Sequence, residues 1–309
     1  MASSLLTNSA AMTALQTLRS VSSSLSVTQN RISTGMRVAT ASDNAAYWSI
    51  ATSMRADNAA LSAVSDSLGL SAATVDTEYT ALTAVIGSDG NSGLTKLQAL
   101  LVEAKTAGID RNKIQSEITQ IQQDMKNTAN AATFNGVNWI SATSSTPTST
   151  QLVSAFSRVG GTPTISAITV VPTSFSLYNN TVAATPSGYL DTVSATTSVS
   201  VNNMTIAALT DGTTDMATLD TYITQVTGAL NSVSQAAANL GAIKNRISNN
   251  SEFVKTLIDS VTRGIGQLVD ADMNAESTRL SALQTQQQLG VQALSIANQN
   301  SQSILSLFR

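Results

Sequence analysis

Asp270 and Asp272 stand one residue apart, and two carboxylates so placed could share a divalent cation. Their neighbours argue otherwise. The sequence holds no His and no Cys, which excludes zinc sites, thiol nucleophiles, His-dependent triads and any HExxH metalloprotease motif. The two aspartates are expected at the start of a helix, where negative charge meets the positive end of the helix dipole. Arg31 and Arg246, each in an Asn-Arg-Ile triplet, either pair with carboxylates of a neighbouring copy or remain solvated. Tyr47 and Trp48 follow a helix start in an Ala-rich seam and are expected as buried contacts. Asn179, Asn203 and Asn249 open Asn-x-Ser/Thr triplets, which chance explains in a chain so rich in these residues. No catalytic residue, cofactor or metal is expected.

Composition narrows the function classes. Of 309 residues, 42% are hydrophobic but only 4% aromatic and 11% charged, so the apolar material is mostly Ala, Leu, Val and Ile. Such side chains suit narrow helix–helix seams. A net charge of −3 offers no footprint for nucleic acid or an anionic membrane. No apolar run is long enough to span a bilayer. The first residues, with polar groups between each apolar pair, show no cleavable signal. The absence of Cys fits either chance or a protein that works in an oxidising exterior.

The elements that must carry these residues fall into three parts. All four prolines, Pro147, Pro163, Pro172 and Pro186, lie in a Thr/Ser/Val/Gly-rich stretch from about Ser141 to Asp215. There, Thr164–Val171 and Ser198–Val201 alternate β-branched and small polar residues, which predicts strands. The flanks are proline-free. Ala11, Leu15, Leu18, Ser22, Leu25, Gln29 and Ile32 step by four and three as a helical seam, interrupted at Gly35. Ser42 and Asp43 are expected to cap a second helix, with Ile50, Met54, Leu61, Val64, Leu68, Val75 and Leu82 on one face. Asp57, Ser71 and Glu78 are polar exceptions in that stripe. A third helix is predicted from about Leu94 to Asn127.

The strongest periodicity follows the insert, from Ile223 through Val226, Val233, Leu240, Ile247, Val254 and Ile265 to Leu268. A helix of that length spans roughly 70 Å at about 1.5 Å per residue and requires helical partners. The last segment carries two stripes. One is Leu280, Leu283, Gln287, Gly290, Leu294, Ala297, Ile304 and Phe308; the other is Leu289, Ala293, Ile296, Ser303 and Leu307. One partner helix covers one stripe, so the second is expected to meet neighbouring copies. Ser-rich stretches at both ends are poor helix formers alone, which predicts ends that order on assembly.

The run from Asn30-Arg31 through Gly35 to Ser42-Asp43 and Ala46 resembles the N-terminal signature of bacterial flagellin. Asn245-Arg246-Ile247, then Val269-Asp270-Ala271-Asp272-Met273-Asn274-Ala275-Glu276-Ser277, resembles its C-terminal signature, and Gln292–Gln299 fits its last helix. Asn44 and Tyr47-Trp48 depart from the usual pattern and look like alphaproteobacterial flagellins. The resemblance implies a mainly α fold: a long helical bundle from both chain ends with a small β-rich insert. It implies self-polymerisation into a secreted extracellular filament for motility, and favours the exterior reading of the missing Cys. Filament cap, hook-junction proteins and an export chaperone are the implied partners, and type III export the implied route.

The expected division is 1–41 as assembly helix and linker, 42–140 as helical core with a β-hairpin, 141–215 as outer insert, 216–268 as the returning core, and 269–309 as the C-terminal assembly helix. Leu15, Leu18, Leu25, Ile32, Leu280, Leu283, Leu289, Leu294, Ile296, Ile304, Leu307 and Phe308 are the expected assembly seam. Where many flagellins carry an arginine-rich patch read by an innate immune receptor, this chain has Lys96, Gln98 and Glu103, and lysine does not reproduce the bidentate geometry of arginine. The resemblance therefore implies weak or absent receptor activation. A hook–filament junction protein is the competing identity, because it shares flagellin-like termini. An enzymatic insert would need an HExxH motif or a convergent polar constellation, which this chain lacks, and a soluble adhesin or coiled-coil binding module would not need both ends double-striped.

Overall fold

The computed structural model describes residues 8–142, 149–159, 162–179 and 188–307, the side chains of 142, 159 and 300–307 excepted. The order is α1 (Ser9–Thr34), α2 (Ala45–Ile86), α3 (Gly93–Glu103), α4 (Arg111–Ala131), β1 (Ser141–Ala142), β2 (Thr150–Val159), β3 (Thr162–Val170), β4 (Tyr178–Asn179), α5 (Thr213–Val269) and α6 (Met273–Leu307). The chain is mainly α with a small β insert. It forms two compact units, Met1–Ala59 with Ile258–Arg309, and Ala60–Leu257.

In the first unit α1 and α6 run antiparallel. Asn8 caps α1 with its side-chain oxygen and donates Nδ2 to the Ala297 carbonyl near the far end of α6. At the other end Gly35 closes α1 in the left-handed conformation that glycine adopts without a Cβ penalty. The chain then runs beside the end of α5. Arg37 and Val38 donate backbone N–H to the Val269 carbonyl, and Ala271 donates to that of Gly35. Val38, Ala51 and Val269 form a small core there, with Met36 and Leu268 packed against it. Asn44 is the residue that caps α2, accepting from the N–H groups of Ala46 and Tyr47. The expected cap at Ser42–Asp43 is thus displaced. Asp43 turns back and accepts from Ala39 and Thr40 in the preceding loop.

The second unit packs the remainder of α2 and α5 with α3 and α4. Leu61, Val64, Leu68, Val75 and Leu82 of α2 are buried, as are Val226, Val233, Leu240, Ile247 and Val254 of α5. Lys244 of α5 meets Asp76 of α2 at 2.6 Å, and Gln98 of α3 donates to Thr227 of α5 at 2.9 Å. The predicted single helix from Leu94 to Asn127 is two. Gly108 adopts a φ of +80°, and Asp110 starts α4 afresh by accepting from the Asn112 N–H. Arg111 holds that break closed, donating to the carbonyls of Ala104 and Leu209 and to Asp211.

The insert is less strand-rich than its composition suggests. β2 and β3 form an antiparallel hairpin, bulged between Val153 and Ala155, and β1 pairs parallel with β4. Ser198–Val201 is not a strand: Val201–Asn203 is a 3₁₀ turn, and Ser200 makes only an isolated bridge to Val193. Helix side chains add hydrogen bonds to backbone carbonyls of this region, as buried polar groups require. Gln122 donates to the carbonyls of Val201 and Met204, and Gln225 to those of Thr192 and Val199.

Candidate assembly interface

The α1–α6 seam is one continuous stripe. On α6, Leu283 is only 8% exposed, Leu280, Gln287, Gly290, Leu294 and Ala297 are half-buried, and Glu276 is buried. On α1 the inward residues are Ala11, Ala14, Leu18, Val21, Leu25, Thr28 and Ile32. Gly290 lets the helices close: a Cβ there would lie 3.0 Å from Leu18 Cδ1. The stripe differs from the expected one at alternate steps, because the inward step from 11 is three residues rather than four. Leu15 is 38% exposed, and Ser22 and Gln29 also face outwards.

The second stripe of α6 is open in the single chain. Leu289 is 58% exposed and Ile296 60%, with Val291 and Met273 also exposed; Met12 and Val27 of α1 are likewise uncovered. The side chains of Ile304 and Leu307, and the whole of Phe308, lie outside the described residues.

The polar residues of the two signatures sit at the helix ends. Arg31 in the last turn of α1 donates to Glu276 in the first turn of α6 at 3.1 Å, so its partner is in the same chain. Asp272 caps α6, accepting from Asn274 and Ala275. Asp270 forms an isolated antiparallel bridge with Met36. The Ser42 hydroxyl lies 2.7 Å from that of Thr40, Asn30 is exposed, and Asn245 and Arg246 are exposed on α5 in the second unit. Among the described residues no group of three or more His, Cys, Asp or Glu side chains could hold a metal ion. Tyr47 and Trp48 are exposed rather than buried, and the Arg37 guanidinium lies 6.0 Å from the Tyr47 ring.

Lys96 pairs with Glu117 at 3.3 Å, Gln98 is bound to Thr227, and Glu103 is exposed at the end of α3. Two buried features carried no distinct sequence signal. Glu78, a mere polar exception in its stripe, accepts the Trp139 N–H at 2.9 Å. Arg111 is buried at the start of α4.

Comparison with known families matches the bacterial flagellin N-terminal helical region over residues 5–145 and its C-terminal helical region over residues 223–308. Flagellin C of Rhizobium meliloti (strain 1021) is 43% identical over 323 residues, covering 99% of both chains. The chain belongs to the flagellin family. The flagellin of Brucella melitensis biotype 1 is 44% identical over 307 residues, again covering 99% of each. Flagellin A of Rhizobium meliloti (strain 1021) is 40% identical over 401 residues, covering 99% of this chain and all of the relative. Flagellins are structural proteins. This chain is a subunit that polymerises into the extracellular flagellar filament, and none of these matches points to a junction protein. No helix among the described residues is long and apolar enough to cross a membrane.

Proposed function

We propose that the filament is built through the terminal helices, with one stripe of α6 closed on α1 and the other buried by neighbouring copies. The observation that carries this reading is the contrast along α6 between Leu283, at 8% exposure, and Leu289 and Ile296, at 58% and 60%. Covering a leucine or isoleucine side chain is worth roughly 1.5–3 kcal/mol, so an apolar row repeated in every subunit is a strong drive to associate. Single exposed apolar residues mean little; a row at helical spacing, on a chain that polymerises, has a use. Within this reading residues 1–41 and 269–309 form the assembly region, 42–140 and 216–268 the helical middle, and 141–215 the outward insert.

On the same reading its further partners are a filament cap, hook-junction proteins and an export chaperone that holds the C-terminal segment before type III export. The chain has no catalytic role. Removing residues 273–309 is the direct test, read by electron microscopy after seeding with filament fragments. The truncated chain is expected to remain soluble and unpolymerised; seeded filaments of it would overturn the reading.

A further inference from the structure

The β2–β3 hairpin is built like an unfinished sheet. Among the described residues each strand pairs with one other strand and no strand pairs with either outer edge. Leu152 and Ser154 of β2 and Ile168 and Val170 of β3 are buried, but Thr162–Ala167 are six exposed residues in succession. Ile165 is 67% exposed and lies directly across the ladder from half-buried Phe156, so the two make an apolar cross-strand pair in the exposed part of the hairpin. Two-stranded hairpins are marginal in water and usually gain a third strand or a packed face.

Proteins that must keep a bare edge unpaired place charge, proline or a bulge on it. Here Arg158 is the one charged residue between Thr150 and Val170. Pro163, which has no N–H, confines the part of the β3 edge able to donate to the stretch from Thr164 onwards, and the bulge between Val153 and Ala155 interrupts β2. Two such hairpins can therefore approach with little repulsion.

We propose that in the filament the outer edge of β3 in one copy pairs with the outer edge of β2 in the next, extending the sheet from subunit to subunit. The inference rests on the filament reading above. Subunits in a helical filament meet head to tail, with different patches of the same surface in contact. The hairpin offers two different edges of similar length, β2 of ten residues and β3 of nine. Because β2 and β3 are antiparallel within a chain, copies stacked in the same orientation place β3 of one antiparallel to β2 of the next. That is the ladder the hairpin already uses. Backbone groups supply the bonds, and the Phe156–Ile165 face gains cover from the neighbouring strand.

The test is amide hydrogen exchange on the unmodified full-length chain, resolved to single residues and compared between monomer and seeded filament. Alternate amides of β3 between Thr164 and Ala167 point outwards and are expected to exchange at least tenfold more slowly in the filament; Pro163 has no amide to report. Amides of α1 and α6 act as the internal control and are expected to slow as well. If the helices slow and the β3 amides exchange equally fast in both states, or are equally protected in both, the hairpin pairing is wrong while end-driven assembly stands. If α1 and α6 do not slow, the assembly reading itself fails.

Discussion

Arg31 Nη1 lies 3.1 Å from Glu276 Oε1 and joins the last turn of α1 to the first turn of α6. The geometry is favourable twice over. A cation at a helix C-terminus and an anion at a helix N-terminus each suit the local dipole, and here the two ends are the same contact. The Glu276 side chain is 10% exposed and that of Arg31 27%, so the pair is largely out of water. Removing one partner therefore leaves a poorly solvated charge.

Arg31→Ala or Glu276→Ala is expected to destabilise the α1–α6 pair by about 1–3 kcal/mol, the buried-pair value discounted for the residual exposure of Arg31. The double variant is expected to cost less than the sum of the two, with a coupling of about 0.5–3 kcal/mol. Thermal dissociation of filaments assembled from the four chains measures it. Strict additivity would mean that the pair has no energetic link.

Glu78 makes stability depend on pH. It is fully buried, one oxygen accepts from Trp139, and the other has no partner. Burial pushes its pKa from an ordinary 4.5 to about 7, against the lowering effect of the backbone N–H groups of Trp139 and Ile140. The folded chain thus holds this proton more tightly than the unfolded one. The contribution is full below pH 4.5, declines as pH rises from there, and is gone above about 7. The difference amounts to roughly 3 kcal/mol at 1.36 kcal/mol per unit. Urea unfolding at a series of pH values is expected to show this decline in the parent chain and a flatter profile in Glu78→Gln. Equal slopes in the two would exclude Glu78 as the source.

The α2–α3 turn is closed by backbone. Gly93 has a φ of +60°, and a Cβ there would lie 2.2 Å from the Val85 carbonyl oxygen. Gly90 has a similar φ of +73° with nothing within 4 Å. Gly90→Ala is expected to cost only the left-handed strain, about 1 kcal/mol, whereas Gly93→Ala costs several because the backbone must move. Equal midpoints in denaturant for the two variants would contradict the close approach.

Lys96 and Gln98 stand where an arginine-rich receptor patch is expected by family resemblance, and both are engaged within the chain, with Glu117 and Thr227. Purified monomer is expected to elicit a weak response in a reporter for the innate flagellin receptor. The double substitution Lys96→Arg, Gln98→Arg is expected to raise it. A strong response from the parent chain would refute the expectation.

The long helices were legible in the sequence because their periodicity is sustained: the stripe from Val226 to Val254 in α5 tolerates the exposed Lys244 without losing register. Local choices were less legible. Ser42, Asp43 and Asn44 are all good caps, and only the turn from Ala39 to Asp43 decides that Asp43 faces backwards. Gly108 and Asp110 interrupt an otherwise helical pattern, and the break is held by Arg111 and Asp211, 100 residues apart in the chain. In α1 small residues blur the stripe, so Ala14 and Thr28 face inwards where Leu15 and Gln29 also fit a heptad. The polar signature residues could be named from resemblance, but that Arg31 meets Glu276 depends on how the two chain ends align.

Assembly through the uncovered stripe of α6 is tested most directly by the double substitution Leu289→Lys, Ile296→Lys. Both side chains are more than half exposed in the single chain, so the substitutions leave the α1–α6 seam untouched. Sedimentation after seeding with parent filament fragments, with helicity checked by circular dichroism, gives the answer. The expected result is a chain of parental helicity that stays in the supernatant. Pelleting at the parental critical concentration would contradict a role for that stripe in the filament.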